Sequence, residues 1–327
     1  MFVVFMHCEF PGIMGVAVQA ISRFCVPFFF MVSGYFCFRP YYQDGSSKPI
    51  LALNGGGYKS SSIGKKVAHI AKITLYASLF YMVFELLQVI FVNGHGLIVT
   101  KSSLFFWAVF NQPISLIAGQ YWFLFALLYA YIFYWILGKI GLLRYAYILA
   151  ALLFVVYIVL AQGAHLAGYG IPNMIYRNWL VEAFPYFMLG HWIHENQEKI
   201  SITNRTLIAI IAVSTLLCWV ERYLMGRDFG VNIVTIPQVF ALFVFGVKNP
   251  SRHEGIIQRI GKDCSMMVYI LHPVVWHSLE SVYSKLGLNE NILALYLMPV
   301  FVLLLSIVFA IVFNKLVAAV KKKPAVA

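Results

Sequence analysis

Long apolar runs recur along the whole chain, and they constrain the fold more than any other feature of the sequence. The 327 residues are 61% hydrophobic and only 11% charged, which is far from the balance of an ordinary soluble domain. Lipid offers no hydrogen bonds to exposed backbone, so a chain that crosses a bilayer must be helical or form a closed barrel. The runs lack the period-two alternation of barrel strands. They therefore predict an all-α, polytopic integral membrane protein.

A helix needs about 20 apolar residues to cross a membrane. By that criterion the sequence predicts about ten transmembrane helices in a single domain over residues 1–327. After a short first helix, the predicted bounds are 16–38, 67–92, 121–137, 145–161, 179–193, 206–220, 231–247, 265–283 and 292–320. The segment 104–120 is interrupted by Asn-Gln-Pro, which predicts an interfacial or broken helix.

The first predicted helix is unusually short. Residues 1–6 precede His7, and six residues rise about 9 Å at 1.5 Å each, which is too little for a crossing. We therefore expect a first helix that is truncated or that enters the membrane only partly.

The net charge of +12 fits membrane topology better than a nucleic-acid interface. Lys and Arg cluster in short segments between apolar runs, as they do in cytoplasmic loops. If the loop 39–66 is placed inside, the remaining loops on that side and the tail carry most of the other basic residues. This asymmetry predicts a multi-pass protein of the cell membrane with both termini in the cytoplasm. We expect no nucleic-acid partner.

The five cysteines have no spacing typical of a metal site or a disulfide framework, and their number is odd. We expect buried thiols and no bound metal. These cysteines are Cys8, Cys25, Cys37, Cys218 and Cys264.

Several polar side chains interrupt the apolar runs on the side predicted to face outward. A charged group near hydrocarbon costs at least ~2.5 kcal/mol, so such a group usually faces protein or a water-filled cavity and often marks a functional site. The polar residues gather near helix ends, which favours a cavity that opens outward. They include His7, Glu9 and Arg23, then Trp122, then Arg177, Asn178 and Glu182, and finally Glu221 and Arg222.

Four motifs carry a resemblance to a known family. RFCVPFFFMVSGYF at 23–36 follows a first-helix histidine, and YWFLFALLYAYI, RNWLVEAFPYFMLGHWI and SMMVYILHP follow at 121–132, 177–193 and 265–273. In collinear order they closely resemble the motifs of the acyltransferase 3 family of membrane-bound acyltransferases. Within this family, the four motifs are most similar to those of the branch that contains polysaccharide O-acetylases and the membrane domains of vancomycin-resistance serine racemases.

The resemblance implies a reaction. An acyl group, usually acetyl from cytoplasmic acetyl-CoA, is moved to a hydroxyl of an extracytoplasmic glycan. Acetyl-CoA is then a co-substrate and no cofactor is bound. The expected partners are the lipid bilayer, acyl-CoA and a cell-surface glycan acceptor.

Two positions depart from the family pattern. Family members carry a basic residue about three helical turns before the first-helix histidine, and this sequence has no residues there. An Arg-x-x-Arg pair after the second helix is replaced by Lys66-x-x-His69-x-x-Lys72, which keeps positive charge but loses the bidentate fork of arginine.

His7 and Arg23 are the candidate catalytic residues that the resemblance implies. The unperturbed pKa of histidine is ~6.5, so it can take the proton of an attacking alcohol near neutral pH. His7 is the candidate base, and the alternative is a helix-end histidine at the membrane interface. Arg23 is the candidate that stabilises the oxyanion or grips the acceptor. Its alternative role is a structural ion pair with Glu9 or with a carboxylate of a neighbouring helix.

The remaining candidates are substrate contacts. Arg177, Asn178, Trp122 and Glu182 are expected to bind the acceptor, with helix capping or buried ion pairs as the alternative. Two roles are open for His272: a packed, hydrogen-bonded histidine, or a residue that lines the acyl path. On the predicted inner side, three lysines could contact the phosphates of acyl-CoA, although topology alone also explains them. They are Lys65, Lys66 and Lys72.

The sequence therefore favours an O-acetyltransferase that modifies an envelope polysaccharide. Two alternatives stay open. One is a transporter or flippase for a polar solute or lipid-linked glycan, and the other is an inactive truncated homologue.

Overall fold

The computed structural model describes residues 2–37, 60–92, 100–111, 121–250 and 255–322, and all regular structure in these ranges is helical. The α-helices are α1 (Phe2–His7), α2 (Gly12–Ser22), α3 (Cys25–Tyr35), α4 (Ser60–Val92), α5 (Lys101–Phe110), α6 (Trp122–Lys139), α7 (Leu143–Ile158), α8 (Ala164–Leu166), α9 (Asn173–Tyr176), α10 (Phe184–Asn196), α11 (Asn204–Met225), α12 (Thr235–Lys248), α13 (Ile256–Lys285) and α14 (Ile292–Lys322). Two π-helical turns, Val159–Gly163 and Trp179–Ala183, precede α8 and α10, and a 3-10 turn, Leu288–Glu290, precedes α14.

Six segments of the described chain are long and apolar enough to cross a membrane. They confirm the all-helical membrane class, while the prediction of about ten crossings stays unconfirmed. Helix α10, with 13 residues, is too short to qualify by length and composition. The six segments are Gly12–Tyr35, Ile63–Ile90, Trp122–Lys139, Leu143–Leu166, Asn204–Met225 and Ile292–Ala319.

The predicted helix 16–38 is not continuous. Helix α2 ends at Ser22 and α3 begins at Cys25, so Arg23 lies in a turn between them. Pro27 explains the break, because it has no N–H to donate to the carbonyl four residues earlier, which is that of Arg23. The interruption places the Arg23 side chain at a helix end, where it can reach other parts of the chain.

Helix α1 packs inside the protein. It contacts α2, α3, α13 and α14, and Val3, Val4 and Met6 are buried. His7 ends this helix. The histidine is therefore held against protein on the side where α13 passes.

The five cysteines are buried free thiols, as predicted.

Two glycines allow α3 and α10 to pack at close range. A Cβ atom built on Gly34 would lie 1.8 Å from the carbonyl oxygen of Phe187, and one on Gly190 would lie 2.0 Å from that of Met31. Each glycine thus accepts the backbone of the other helix in the space a side chain would fill. Small residues at helix contacts permit such an approach in membrane proteins.

This contact yields a stability prediction. Gly34→Ala or Gly190→Ala must push α3 and α10 apart, since the obstructing atoms belong to backbone. Overpacking typically costs about 1–3 kcal/mol, so we expect each variant to unfold at a clearly lower temperature in detergent. Gly246→Ala in α12 is the matched control, because no atom lies within 4 Å of its added Cβ. A Gly190→Ala protein that melts like this control would contradict the packing described here.

Candidate active site

Residues from distant parts of the chain meet near the start of α3 and the segment that leads into α10. Arg23 comes from the turn before α3, Trp122 from the first residue of α6, and His7 from the end of α1. Arg177 lies just after α9. Arg23 and Arg177 are close enough to His7 for their charges to act on its ring.

Arg23 forms an ion pair with Asp228. Its guanidinium Nη2 donates to Oδ2 of that aspartate, and the two side chains are 7% and 32% exposed. The Arg23 Nε atom has no hydrogen-bond partner among the described residues. Glu9 lies elsewhere and accepts a hydrogen bond from Gln19. The ion pair considered for Arg23 therefore exists, but its carboxylate comes from a loop 205 residues later.

The loop that carries Asp228 is fixed by hydrogen bonds. The backbone N–H of Gly230 donates to Oδ1 of Asp228 at 2.9 Å. The Tyr157 hydroxyl lies 3.0 Å from the carbonyl oxygen of Phe229 and 3.1 Å from that of Val231. Asp228 is therefore a positioned partner for Arg23.

Glu221 fixes the far end of the same loop. Its carboxylate accepts hydrogen bonds from the backbone N–H groups of Ile233 at 2.8 Å and Val234 at 3.2 Å. These two residues directly precede α12. Glu221 is one of the polar residues that the sequence analysis placed on the outer side. Its carboxylate satisfies backbone N–H groups at the start of α12.

Arg177 lies between an indole and a glycine. Its guanidinium carbon is 4.7 Å from the centre of the Trp122 ring, a geometry that favours a cation over the ring face. On another side, a Cβ atom on Gly230 would lie 3.2 Å from the Arg177 side chain. Gly230 has a φ of +86°, which glycine adopts readily and other residues rarely do. The position of Arg177 thus depends on this glycine.

Asn178 caps the turn that leads into α10. Its Oδ1 accepts from the backbone N–H groups of Leu180 and Val181, both at 3.0 Å. Its Nδ2 donates to the carbonyl oxygens of Met174 at 3.0 Å and Ile175 at 2.9 Å. Both polar atoms are engaged by backbone and the residue is 3% exposed. The structure thus supplies the capping role that was the alternative to substrate binding.

Glu182 lies in the π-helical turn Trp179–Ala183 and is 1% exposed. Pro185 has no N–H to donate to the carbonyl of residue 181, which favours a wider turn at this point. Oε2 of Glu182 has no hydrogen-bond partner among the described residues, and the carboxylate interacts electrostatically with Arg177 and Arg23. Glu182 thus places a second carboxyl group near the two arginines.

Asn111 is a residue that the sequence reasoning missed. It is fully buried with a φ of 49°, and it ends α5. Its Nδ2 donates to the carbonyl oxygen of Trp122 at 3.0 Å, while its Oδ1 accepts from the backbone N–H of Trp179 at 2.8 Å. It thereby ties the start of α6 to the turn that holds Glu182. The only signal for it was the Asn-Gln-Pro interruption, whose other two residues lie outside the described ranges.

His7 is partly exposed and faces a second histidine. Its ring centre is 5.4 Å from that of His272 in α13, with 34° between the ring planes. His272 is fully buried. The two histidines approach the side of the cluster where Arg23 and Arg177 supply positive charge.

The three lysines predicted to meet acyl-CoA lie away from this cluster. Lys66 donates a hydrogen bond to the carbonyl oxygen of Phe36, just after the end of α3. Arg23 precedes the other end of α3, whose 11 residues make it roughly 16 Å long at 1.5 Å per residue. Lys65 and Lys72 are exposed on α4. The structure therefore separates Lys66 from the histidine and arginine group along α3.

The cluster combines groups suited to acyl transfer. A neutral imidazole can accept a proton from an alcohol, and guanidinium groups can stabilise an oxygen that gains negative charge. Asp228 pairs with Arg23, and the buried carboxyl group of Glu182 lies near both arginines.

Comparison with known proteins identifies the family. A family model described as an acyltransferase domain, that of the acyltransferase 3 family, matches residues 1–314. No curated protein and no solved structure shows a significant match to the chain. Since the family model covers nearly the whole sequence, the chain belongs to the acyltransferase 3 family of membrane acyltransferases.

Proposed function

We propose that this protein is an integral-membrane O-acyltransferase that moves an acetyl or other short acyl group from acyl-CoA to a hydroxyl of an extracytoplasmic polysaccharide or cell-envelope glycan. Family membership supports acyl transfer. The observation that carries the proposal further is the grouping of His7 with Arg23 and Arg177, which brings a proton acceptor beside two anion-stabilising groups.

In the proposed reaction, His7 takes the proton of the acceptor hydroxyl as its oxygen attacks the acyl carbonyl. The carbon–sulfur bond of the thioester breaks as the ester bond forms, and the proton passes to the departing CoA thiolate. Help of this kind from a general base is typically worth 10² to 10⁴-fold in rate. Arg23 is the proposed stabiliser of the oxyanion, since its Nε atom has no protein partner in the described chain.

Arg177, Trp122 and Glu182 form the proposed acceptor site. Guanidinium and carboxylate groups suit the hydroxyls of a sugar, and an indole offers an apolar face for its ring. Asn178 contributes in this proposal by fixing the backbone next to Arg177, because its own polar atoms are already engaged.

The proposal orients α3 so that its start faces the outer side of the membrane and its end faces the cytoplasmic side. Lys65, Lys66 and Lys72 lie toward the cytoplasm and meet the phosphates of acetyl-CoA, a co-substrate, whereas Arg23 lies on the outer side. The protein is then a cell-membrane protein with both termini inside, about ten crossings and one domain over residues 1–327. The charge asymmetry of the loops supports this orientation.

Replacing the proposed base gives the first activity prediction. In membranes that contain the protein, His7→Ala should lower transfer of labelled acetyl from acetyl-CoA to alkali-labile esters of envelope glycan by about 10² to 10⁴-fold. His277→Ala is the control, because that histidine is 39% exposed and pairs with Glu280. Expression and melting temperature are matched before rates are compared.

The same assay tests the alternatives. Equal transfer by wild type and His7→Ala would remove His7 from the chemistry. If folded wild type transfers no label, the enzyme proposal fails, and uptake or flipping of a labelled glycan becomes the next measurement.

The ion pair of Arg23 gives a second prediction. If Arg23 acts on the reaction, Arg23→Ala lowers transfer by about 10²-fold, the size of effect seen when an oxyanion donor is removed. The double variant Arg23→Ala/Asp228→Ala also removes the aspartate that Arg23→Ala leaves unpaired. It should recover thermal stability without recovering transfer. Recovery of both stability and transfer by the double variant would show that Arg23 serves only as the partner of Asp228.

A further inference from the structure

Helix α13 contains a proline that frees a backbone acceptor next to a buried histidine. Pro273 has no N–H, so the carbonyl oxygen of Tyr269, four residues earlier, receives no helical hydrogen bond from it. The Nδ1 atom of His272 lies 2.7 Å from that oxygen and 3.2 Å from the carbonyl oxygen of Val268. Because both neighbours are acceptors, Nδ1 must carry the hydrogen.

This assignment fixes the tautomer of His272. With the hydrogen on Nδ1, the neutral ring leaves Nε2 as an acceptor only. Nε2 is buried and has no hydrogen-bond partner among the described residues. A buried acceptor that stays unpaired loses the hydrogen bonds it made in water, so the site favours a donor at this nitrogen.

Two tyrosines, one in α4 and one just before α6, hold the part of α13 next to Pro273. The carbonyl oxygen of Ile270 accepts the hydroxyl of Tyr81 at 2.8 Å and the hydroxyl of Tyr121 at 3.1 Å. These contacts fix the backbone turn that carries His272. The direction of its ring is therefore set before any substrate arrives.

The ring of His7 is the neighbour that can supply the donor. Its centre is 5.4 Å from that of His272, close enough for one water to bridge a nitrogen of each ring. Burial disfavours positive charge on His7, and so do charges on His272, Arg177 and Arg23. With its hydrogen on Nδ1, a neutral His272 adds no positive charge and offers a lone pair that can accept a hydrogen bond on the side of His7.

We propose that His272 is a positioning residue for His7. Its Nε2 accepts the N–H of the His7 ring through one bridging water, so the other nitrogen of His7 presents its lone pair to the acceptor hydroxyl, and this hydrogen bond supports the imidazolium formed during transfer. The inference rests on the proposed role of His7 as base. It differs from a merely structural role, in which His272 would serve only to bond the free carbonyl of Tyr269.

Two substitutions separate these roles. In His272→Asn, the amide nitrogen replaces Nδ1 and still donates to the Tyr269 carbonyl, but no acceptor remains at the Nε2 position. In His272→Gln, the amide oxygen replaces Nε2 as an acceptor. A structural role requires the first variant to behave like wild type, whereas the positioning role requires the second to be the better substitute.

The kinetic test uses the full chain in membranes with labelled acetyl-CoA. We expect His272→Asn to lower kcat about 10- to 100-fold, the range found when a supporting partner of a functional histidine is removed, while the KM for acetyl-CoA stays within about twofold. His272→Gln should recover most of the rate. In the His7→Ala background, His272→Asn should cause no further loss. Equal rates for His272→Asn and wild type, or equal losses in the Asn and Gln variants, would overturn the proposal.

A second readout does not need enzyme activity. Diethyl pyrocarbonate acylates an unprotonated imidazole nitrogen, and peptide mass spectrometry gives the rate at His7 in solubilised full-length protein. We expect this rate to fall several-fold in His272→Asn and to return in His272→Gln, with His69, exposed on α4, as the internal reference. An unchanged His7 rate in His272→Asn overturns the positioning role. If wild type shows no acyl transfer, the proposed function fails, and this reaction rate still decides whether His272 positions His7.

Discussion

The close contact between α3 and α10 determines where the functional groups lie. Gly34 and Gly190 let the two backbones meet without side chains between them. Arg23 precedes α3, and the turn with Glu182 precedes α10, so the contact holds these two charged groups at the same end of the helix pair. Electrostatic interaction between Arg23 and Glu182 follows from that arrangement. The fold thus brings charges together by a feature that itself carries no charge.

Low polarity around the cluster explains why its arginines lie near acidic groups and an aromatic ring. Arginine that is nearly buried must find an opposite charge or a strong acceptor, because neither lipid nor packed side chains solvate it. Arg23 meets Asp228 from a loop that Tyr157 and Glu221 hold in place. Arg177 meets an indole face and lies near the carboxylate of Glu182. These contacts keep both guanidinium groups near His7 while limiting the free energy lost by their burial.

The helical membrane class could be predicted because apolar length and the absence of alternation are local properties of sequence. The motif at 23–36 also indicated Arg23 and the family, which the family match confirmed. Asp228 could not be predicted as its partner, since nothing local links residues 205 positions apart. The wide turn at Glu182 and the role of Asn111 depend on how α5, α6 and α10 meet, and no periodic pattern encodes that. For Asn178 both roles were open, and only the hydrogen bonds of the folded chain show the cap.

Pro273 determines the tautomer of the neighbouring histidine by leaving a backbone carbonyl without its helical donor. A proline within a helix removes one donor, and the carbonyl it leaves must be satisfied by another group because a membrane interior supplies no water for it. Here the preceding residue, His272, supplies the donor. A histidine that donates from Nδ1 has only an acceptor left at Nε2, so the proline fixes the tautomer through a purely structural requirement. The order His-Pro within a helix therefore predicts a histidine with a defined accepting nitrogen, and in this fold the ring that carries that nitrogen has its centre 5.4 Å from that of His7.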